Sequence, residues 1–253
     1  MTAVDAAPAV VTGGPSWSER ARDLGPIVVL GLLVAFFTWR SPVFFTVTNG
    51  RSLLIEATPL AVTAAAMTIV ILLGEIDLSV GSVAALVSIV FAILVRDGMN
   101  FWLAALLALL AGAGIGIVNG AVTVLGRIPS FITTLGVFSI AQGLGFILAD
   151  QRTVPVRDLD FFRAFADARP LGIPIPAVWA AGAILVTGVL LSSTVFGRSV
   201  YAVGGNSEAS RLSGRSPTRT KLKAFALAGV LVGLAGILLA ARLGSGKPDA
   251  APT

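Results

Sequence analysis

The chain has 253 residues, of which 56% are hydrophobic and only 12% are charged, and its formal net charge is +5. A soluble domain carries about 25% charged residues, so this composition predicts an all-α integral membrane protein. The chain contains no cysteine and no histidine, which excludes disulfides, thiolate nucleophiles, Ser-His triads and the usual zinc or haem ligands. We therefore expect no metal site.

The surplus of positive charge would suggest a nucleic-acid partner in a soluble protein, but here it predicts cytoplasmic loops that face anionic lipid. Residues 196–223 hold six Lys and Arg against one Glu. Trp39, Trp102 and Trp179 fall near one predicted outer interface, where tryptophan is enriched. The total of Lys and Arg is the same on both sides, so this local density and the tryptophans favour an N-terminus inside the cell.

Residues 1–23 form a leader without a cleavable signal pattern, and we predict that it is disordered and cytoplasmic. The remainder, residues 24–253, is predicted to be one membrane domain. Seven uncharged runs have lengths close to those needed to cross the hydrocarbon core, which is ~30 Å thick. They predict about seven membrane helices, over residues 24–39, 57–74, 78–95, 98–126, 128–149, 170–197 and 224–241.

Two segments between these runs are predicted to lie outside the bilayer. Residues 43–56 are half polar and are predicted to lie along the interface, with Pro59 starting the next helix. Residues 150–173 contain four Arg and four Asp, and they are predicted to form a solvated loop with a short helix over 158–168.

A polar break, LLGEIDLSVGS, separates the second run from the third. Glu75 and Asp77 could form an ion-coupling pair, but side chains two residues apart point about 200° apart on a helix. The alternative is a structural turn, in which Gly74 and Gly81 supply the bend. Asp77 and Ser79 would then cap the following helix.

Small residues recur at helical spacing in two of the runs. Gly112, Gly116 and Gly120 lie on the fourth run, and Gly229 and Gly233 repeat the spacing on the seventh. This spacing allows helix backbones to approach closely. The pattern favours packing inside one subunit, and a dimer contact is the second interpretation.

Three side chains are candidates for lining a solute path. Asn119 and Gln142 are polar positions in the middle of predicted helices, and Phe131 could stack on a sugar ring. The alternatives are an inter-helix hydrogen bond for the two amides and ordinary lipid contact for the phenylalanine.

The segment FGRSVYAVGGNSEASRLSG predicts a short helix with its own caps. Gly204 and Gly205 are predicted to form a turn, and Asn206 is a favourable N-cap. Glu208 then lies in the first helical turn, and Gly214 is a plausible stop after about two turns.

Ala209 and Leu212 form a small apolar face on this helix, flanked by Glu208 and Arg211. A capped helix between two membrane runs would suit docking into a cleft on a cytoplasmic partner. The alternative is a basic loop that only fixes the topology and touches anionic lipid.

These motifs, together with IPSFITTLG and the following Gln142-Gly143, resemble the permease subunits of bacterial sugar ABC importers, the ribose/xylose/galactose group. The resemblance runs from about residue 20 to the end of the chain. It implies an inner-membrane permease for a monosaccharide, working as a homodimer with separate ATPase subunits and a periplasmic sugar-binding protein. Residues 196–214 then correspond to the coupling helix that docks on the ATPase, and Glu75 is most similar to the xylose-type permeases.

The chain departs from that family because such permeases continue into further membrane helices, whereas this sequence stops at residue 253. A truncated, non-transporting remnant is therefore one alternative, and an ion-coupled secondary transporter is another. The GSGKP stretch after residue 243 lacks the spacing of a phosphate-binding loop. We therefore expect no enzyme activity and no cofactor on this chain, with ATP bound by a partner subunit.

Overall fold

The computed structural model describes residues 17–249. Over that range the chain forms ten α-helices, which are α1 (Trp17–Arg40), α2 (Val47–Leu72), α3 (Val80–Arg96), α4 (Phe101–Leu125), α5 (Ser130–Leu148), α6 (Leu159–Phe162), α7 (Ile175–Ser193), α8 (Val195–Gly205), α9 (Ser207–Leu212) and α10 (Pro217–Leu243). Helix α6 continues into a π-helical turn, Arg163–Asp167, and a 3-10 turn follows at Pro170–Gly172. Two short strands, β1 (Val154–Pro155) and β2 (Ser245–Gly246), pair antiparallel.

Five helices among the described residues are long and apolar enough to cross a bilayer, namely α2, α4, α5, α7 and α10. The apolar parts of α1 and α3, Leu24–Arg40 and Val80–Arg96, are shorter. Each of the seven predicted runs coincides largely with one of these helices. The all-α membrane class is thus confirmed, and a total of seven spans stays a prediction.

The described residues divide into two compact units, and the boundary lies between residues 50 and 51. In the first unit α1 already includes residues 17–23, so the prediction that this part of the leader is disordered is wrong. The segment is rich in Arg, Glu and Ala, which favour helix. Residues 1–16 of the predicted leader lie outside the described residues.

Helix α2 contradicts the prediction for residues 43–56. From Val47 onward these residues are helical, and the helix runs through Pro59 instead of starting there. The polar side chains of this stretch have protein partners, because Arg51 Nε donates to the Gly172 carbonyl at 3.2 Å and Glu56 forms an ion pair with α10. Such partners replace the water that an interfacial segment would need.

Helices α4 and α10 cross at the predicted glycine stripes. An ideal Cβ on Gly112 would lie 2.4 Å from the carbonyl oxygen of Gly229, and one on Gly116 would lie 2.2 Å from that of Phe225. Any side chain would clash at these distances, so glycine is what allows the two backbones to approach. The stripes therefore pack helices inside one subunit, as the first interpretation predicted.

The segment over residues 150–173 is only partly a solvated loop. The helix predicted over 158–168 is present as α6 and its π-helical turn. Its aromatic residues turn inward: Phe161 and Phe165 are buried, and Phe165 stacks on Trp179 with ring centroids 5.0 Å apart. The predicted solvated loop is thus only partly present, because the apolar side chains between the charges pack onto the bundle.

Candidate functional site

The break between α2 and α3, residues 73–79, is a turn with a defined backbone. Gly74 has a φ of +73°, the left-handed region that glycine adopts without strain, and the Glu75 N–H donates to the Val70 carbonyl at 3.1 Å. Gly74 therefore forms the predicted bend. The prediction for Gly81 is wrong, because α3 has already begun there and its backbone is helical.

Two hydroxyls of α5 fasten this break. Ser130 Oγ accepts from the N–H of Ile76 and Thr134 Oγ1 accepts from the N–H of Leu78, both at 3.0 Å. The hydroxyls are four residues apart and so lie on one side of α5. They pair backbone donors that an irregular segment inside a membrane protein cannot leave unpaired. Sequence reasoning did not single out these two residues, although they belong to the motif IPSFITTLG.

Asp77 lies at the centre of a buried polar group. Its side chain accepts from the N–H and from the hydroxyl of Ser79, at 2.8 and 2.6 Å, and Asn119 on α4 donates to Ser79 Oγ at 2.9 Å. Burial raises the pKa of the Asp77 carboxyl, and the hydrogen bonds from Ser79 and Asn119 act in the opposite direction. Ser79 occupies the N-cap of α3, but its side chain makes no capping bond, so the predicted capping role of its hydroxyl is wrong. The hydroxyl is held by the Asp77 carboxylate instead.

Glu75 has a different partner from Asp77. It forms an ion pair with Lys221 near the start of α10, and the two side chains are 12% and 22% exposed, respectively. The carboxylates of Glu75 and Asp77 therefore do not share one site. This arrangement disfavours the ion-coupling interpretation. Lys221 was not recognised from the sequence, because it is one of several basic residues in the same stretch.

Helices α8 and α9 are joined at Asn206. Its Oδ1 accepts from the N–H of Ala209 at 2.9 Å, which confirms the predicted N-cap, and Gly214, with a φ of +78°, confirms the predicted stop. Gly204 and Gly205 do not form the predicted turn, since they are the last two residues of α8. The backbone of Asn206 is extended, which ends α8, and its side chain caps the start of α9.

Helix α9 turns an apolar and charged face outward. Ala209 and Leu212 are exposed, Leu212 to 81%, and Glu208 pairs with Arg211 beside them at 2.6 Å. Ser210 on the opposite side is buried. The helix thus has one side anchored to the protein and one side available for contact.

Helix α8 approaches the end of α2 closely at Gly204. An ideal Cβ on Gly204 would lie 1.9 Å from the carbonyl oxygen of Leu72. A side chain at this position would have to displace backbone, so Gly204 permits the contact. The segment that carries α9 is therefore packed directly against the break.

The three path candidates do not come together. Asn119 is 1% exposed and makes the inter-helix hydrogen bond to Ser79 that was the alternative interpretation. Phe131 and Gln142 are exposed on α5 and, being eleven residues apart, lie on nearly the same face of that helix. Their role in a path stays a prediction.

Comparison with known proteins identifies the class of molecule. Residues 51–253 match the family described as the permease component of the branched-chain amino acid transport system. The chain belongs to this permease family. Over 93% of its length it is 39% identical to the ribose import permease protein RbsC of Escherichia coli K12, covering 73% of that protein. Over 96% of its length it is 37% identical to the L-arabinose ABC transporter permease protein AraH of Azospirillum brasilense, covering 70% of it. No solved structure matches.

The family match, together with the identity to ribose and L-arabinose permeases, confirms the resemblance drawn from the three motifs. The permease is a multi-pass protein of the inner membrane and a transport component, not an enzyme. The similarity to xylose-type permeases stays a prediction, because these relatives are named for ribose and L-arabinose.

Proposed function

We propose that this chain is the membrane subunit of an ATP-binding-cassette importer that carries a monosaccharide into the cell. The observation that carries this proposal is the 39% identity to a ribose import permease over 93% of the chain. Ribose and L-arabinose, for which the relatives are named, are both pentoses. A pentose is therefore the first substrate to assay. Xylose is included because Glu75 in the break is similar to the xylose-type permeases.

The permease supplies the walls of the path and binds no cofactor of its own. ATP binds to a separate ATPase subunit, and a periplasmic sugar-binding protein delivers the sugar. A second copy of the permease completes the path within the bilayer. The exposed face of α5 with Phe131 and Gln142 supports this arrangement, since an exposed amide in a membrane helix requires a polar surface or a partner beside it.

Helix α9 is the element that contacts the ATPase. Leu212 is 81% exposed, and it projects beside the ion pair of Glu208 and Arg211. An apolar anchor flanked by charges of both signs is typical of a docking helix that fits a cleft. A loop that only fixed topology would need neither the Asn206 cap nor this face.

The docking role is tested by combining Leu212→Asp with Glu208→Lys. We expect the ATPase to be lost from the purified complex, while the permease keeps its melting temperature. Leu159→Asp is the control, because it makes the same substitution at a leucine of similar exposure, 75%, on another helix, α6. An ATPase that stays bound to the double variant contradicts the docking role.

The transport proposal is tested with the assembled complex in proteoliposomes. We expect uptake of radiolabelled ribose, L-arabinose or xylose that requires ATP and the sugar-binding protein, and that does not respond to a proton or sodium gradient. Uptake that follows an ion gradient without ATP contradicts the proposal and supports a secondary transporter.

A further inference from the structure

The three sequence motifs meet at the break of residues 73–79. Gly204 of the third motif packs against the end of α2, and Ser130 and Thr134 of the second motif bond to the backbone of the break. Lys221 reaches the same break through its ion pair with a carboxylate of the first motif. The break is therefore contacted both by α8, which precedes α9, and by α10, which follows it.

We infer that Glu75 and Lys221 are positioning residues for transport, and that their ion pair transmits movement of α9 to the break. The inference rests on the proposed function, in which α9 docks on an ATPase. Only residues 213–216 separate α9 from α10. A displacement of α9 therefore acts directly on the first turns of α10, where Lys221 lies.

The burial of this ion pair explains why a movement of α10 also moves the break. Lys221 and Glu75 are 22% and 12% exposed, so separating them would leave two poorly solvated charges. From Glu75 the chain continues to the hydrogen bonds that join Asp77 and Ser79 to Asn119 on α4. Movement at the start of α10 thus reaches α4 through bonded contacts, and it reaches α5 through the two hydroxyls that hold the break.

The test uses Glu75→Gln, Lys221→Gln and the exchange Glu75→Lys with Lys221→Glu, each in the full complex with the ATPase and the sugar-binding protein. The quantity measured is the amount of sugar imported per ATP hydrolysed. We expect each single variant to lower this ratio severalfold while the ATPase stays bound, because ATP hydrolysis would then continue without moving the break. The exchange should restore the ratio toward that of the wild type.

The control breaks another long-range ion pair, which does not include a residue of the break, with the single variants Glu56→Gln and Arg242→Gln. The import ratios of these two variants should equal that of the wild type. The inference is overturned by normal ratios in both Glu75→Gln and Lys221→Gln, or by the same loss in the two control variants. It is also overturned if the single variants lower the melting temperature but leave the import ratio unchanged, because the ion pair would then only stabilise the fold. A wild-type complex that imports no sugar with ATP contradicts the proposed function itself, and the inference with it.

Discussion

The N–H of Leu78 in the break donates to the hydroxyl of Thr134 on α5 at 3.0 Å, although the two residues are 56 positions apart. Thr134 is completely buried, and its hydroxyl also donates to the Ser130 carbonyl at 2.9 Å. The neighbouring Thr133 is buried as well, but its hydroxyl has no hydrogen-bond partner in the part of the chain that the structure describes. Adjacent threonines on one helix thus differ in whether the hydroxyl makes a hydrogen bond.

Thr134→Val is expected to destabilise the protein, because it removes the acceptor of the partly buried hydrogen bond from the N–H of Leu78. A typical intramolecular hydrogen bond contributes about 0.5–1.5 kcal/mol to the free energy of unfolding, so we expect a loss of this size. Thr133→Val removes a hydroxyl that has no partner, so stability should stay the same or rise. Melting of the two purified variants in the same detergent checks the difference, and equal losses in both would contradict the assigned hydrogen bond.

Gly204→Ala is expected to disturb the contact between α8 and the end of α2. The added methyl group would overlap the Leu72 carbonyl, and overpacking of this kind costs about 1–3 kcal/mol. Gly205→Ala is the control, because an ideal Cβ there meets nothing within 4 Å. Melting temperatures of both variants give the comparison. ATPase binding should survive in Gly204→Ala, since the exposed face of α9 is untouched, and a larger destabilisation by Gly205→Ala would refute the packing argument.

The parts of the site that could be predicted depend on residues close together in the chain. The cap at Asn206 and the stop at Gly214 follow from side-chain and backbone preferences within one or two helical turns. The bend at Gly74 likewise needs only a residue that tolerates positive φ. The apolar runs could be located because membrane helices must satisfy their own backbone hydrogen bonds.

The remaining contacts depend on partners far along the chain, and local patterns do not specify them. Lys221 pairs with Glu75 across 146 positions, and in the sequence it looks the same as the other basic residues that set topology. Serine is a preferred N-cap residue, but the hydroxyl of Ser79 donates to the Asp77 carboxylate and does not cap α3. Residues 43–56 appeared interfacial because their protein partners on other elements are not visible in the sequence.

Gly116→Ala should separate α4 from α10, because the new methyl group would lie 2.2 Å from the carbonyl oxygen of Phe225. We expect a loss of about 1–3 kcal/mol in the free energy of unfolding, the usual cost of overpacking. Gly114→Ala, two residues away on α4, meets nothing within 4 Å and should be neutral or slightly stabilising, since alanine favours helix. Thermal unfolding of both variants in detergent measures the contrast. If Gly116→Ala leaves unfolding unchanged while only permease dimers dissociate, the stripe serves contact between copies instead.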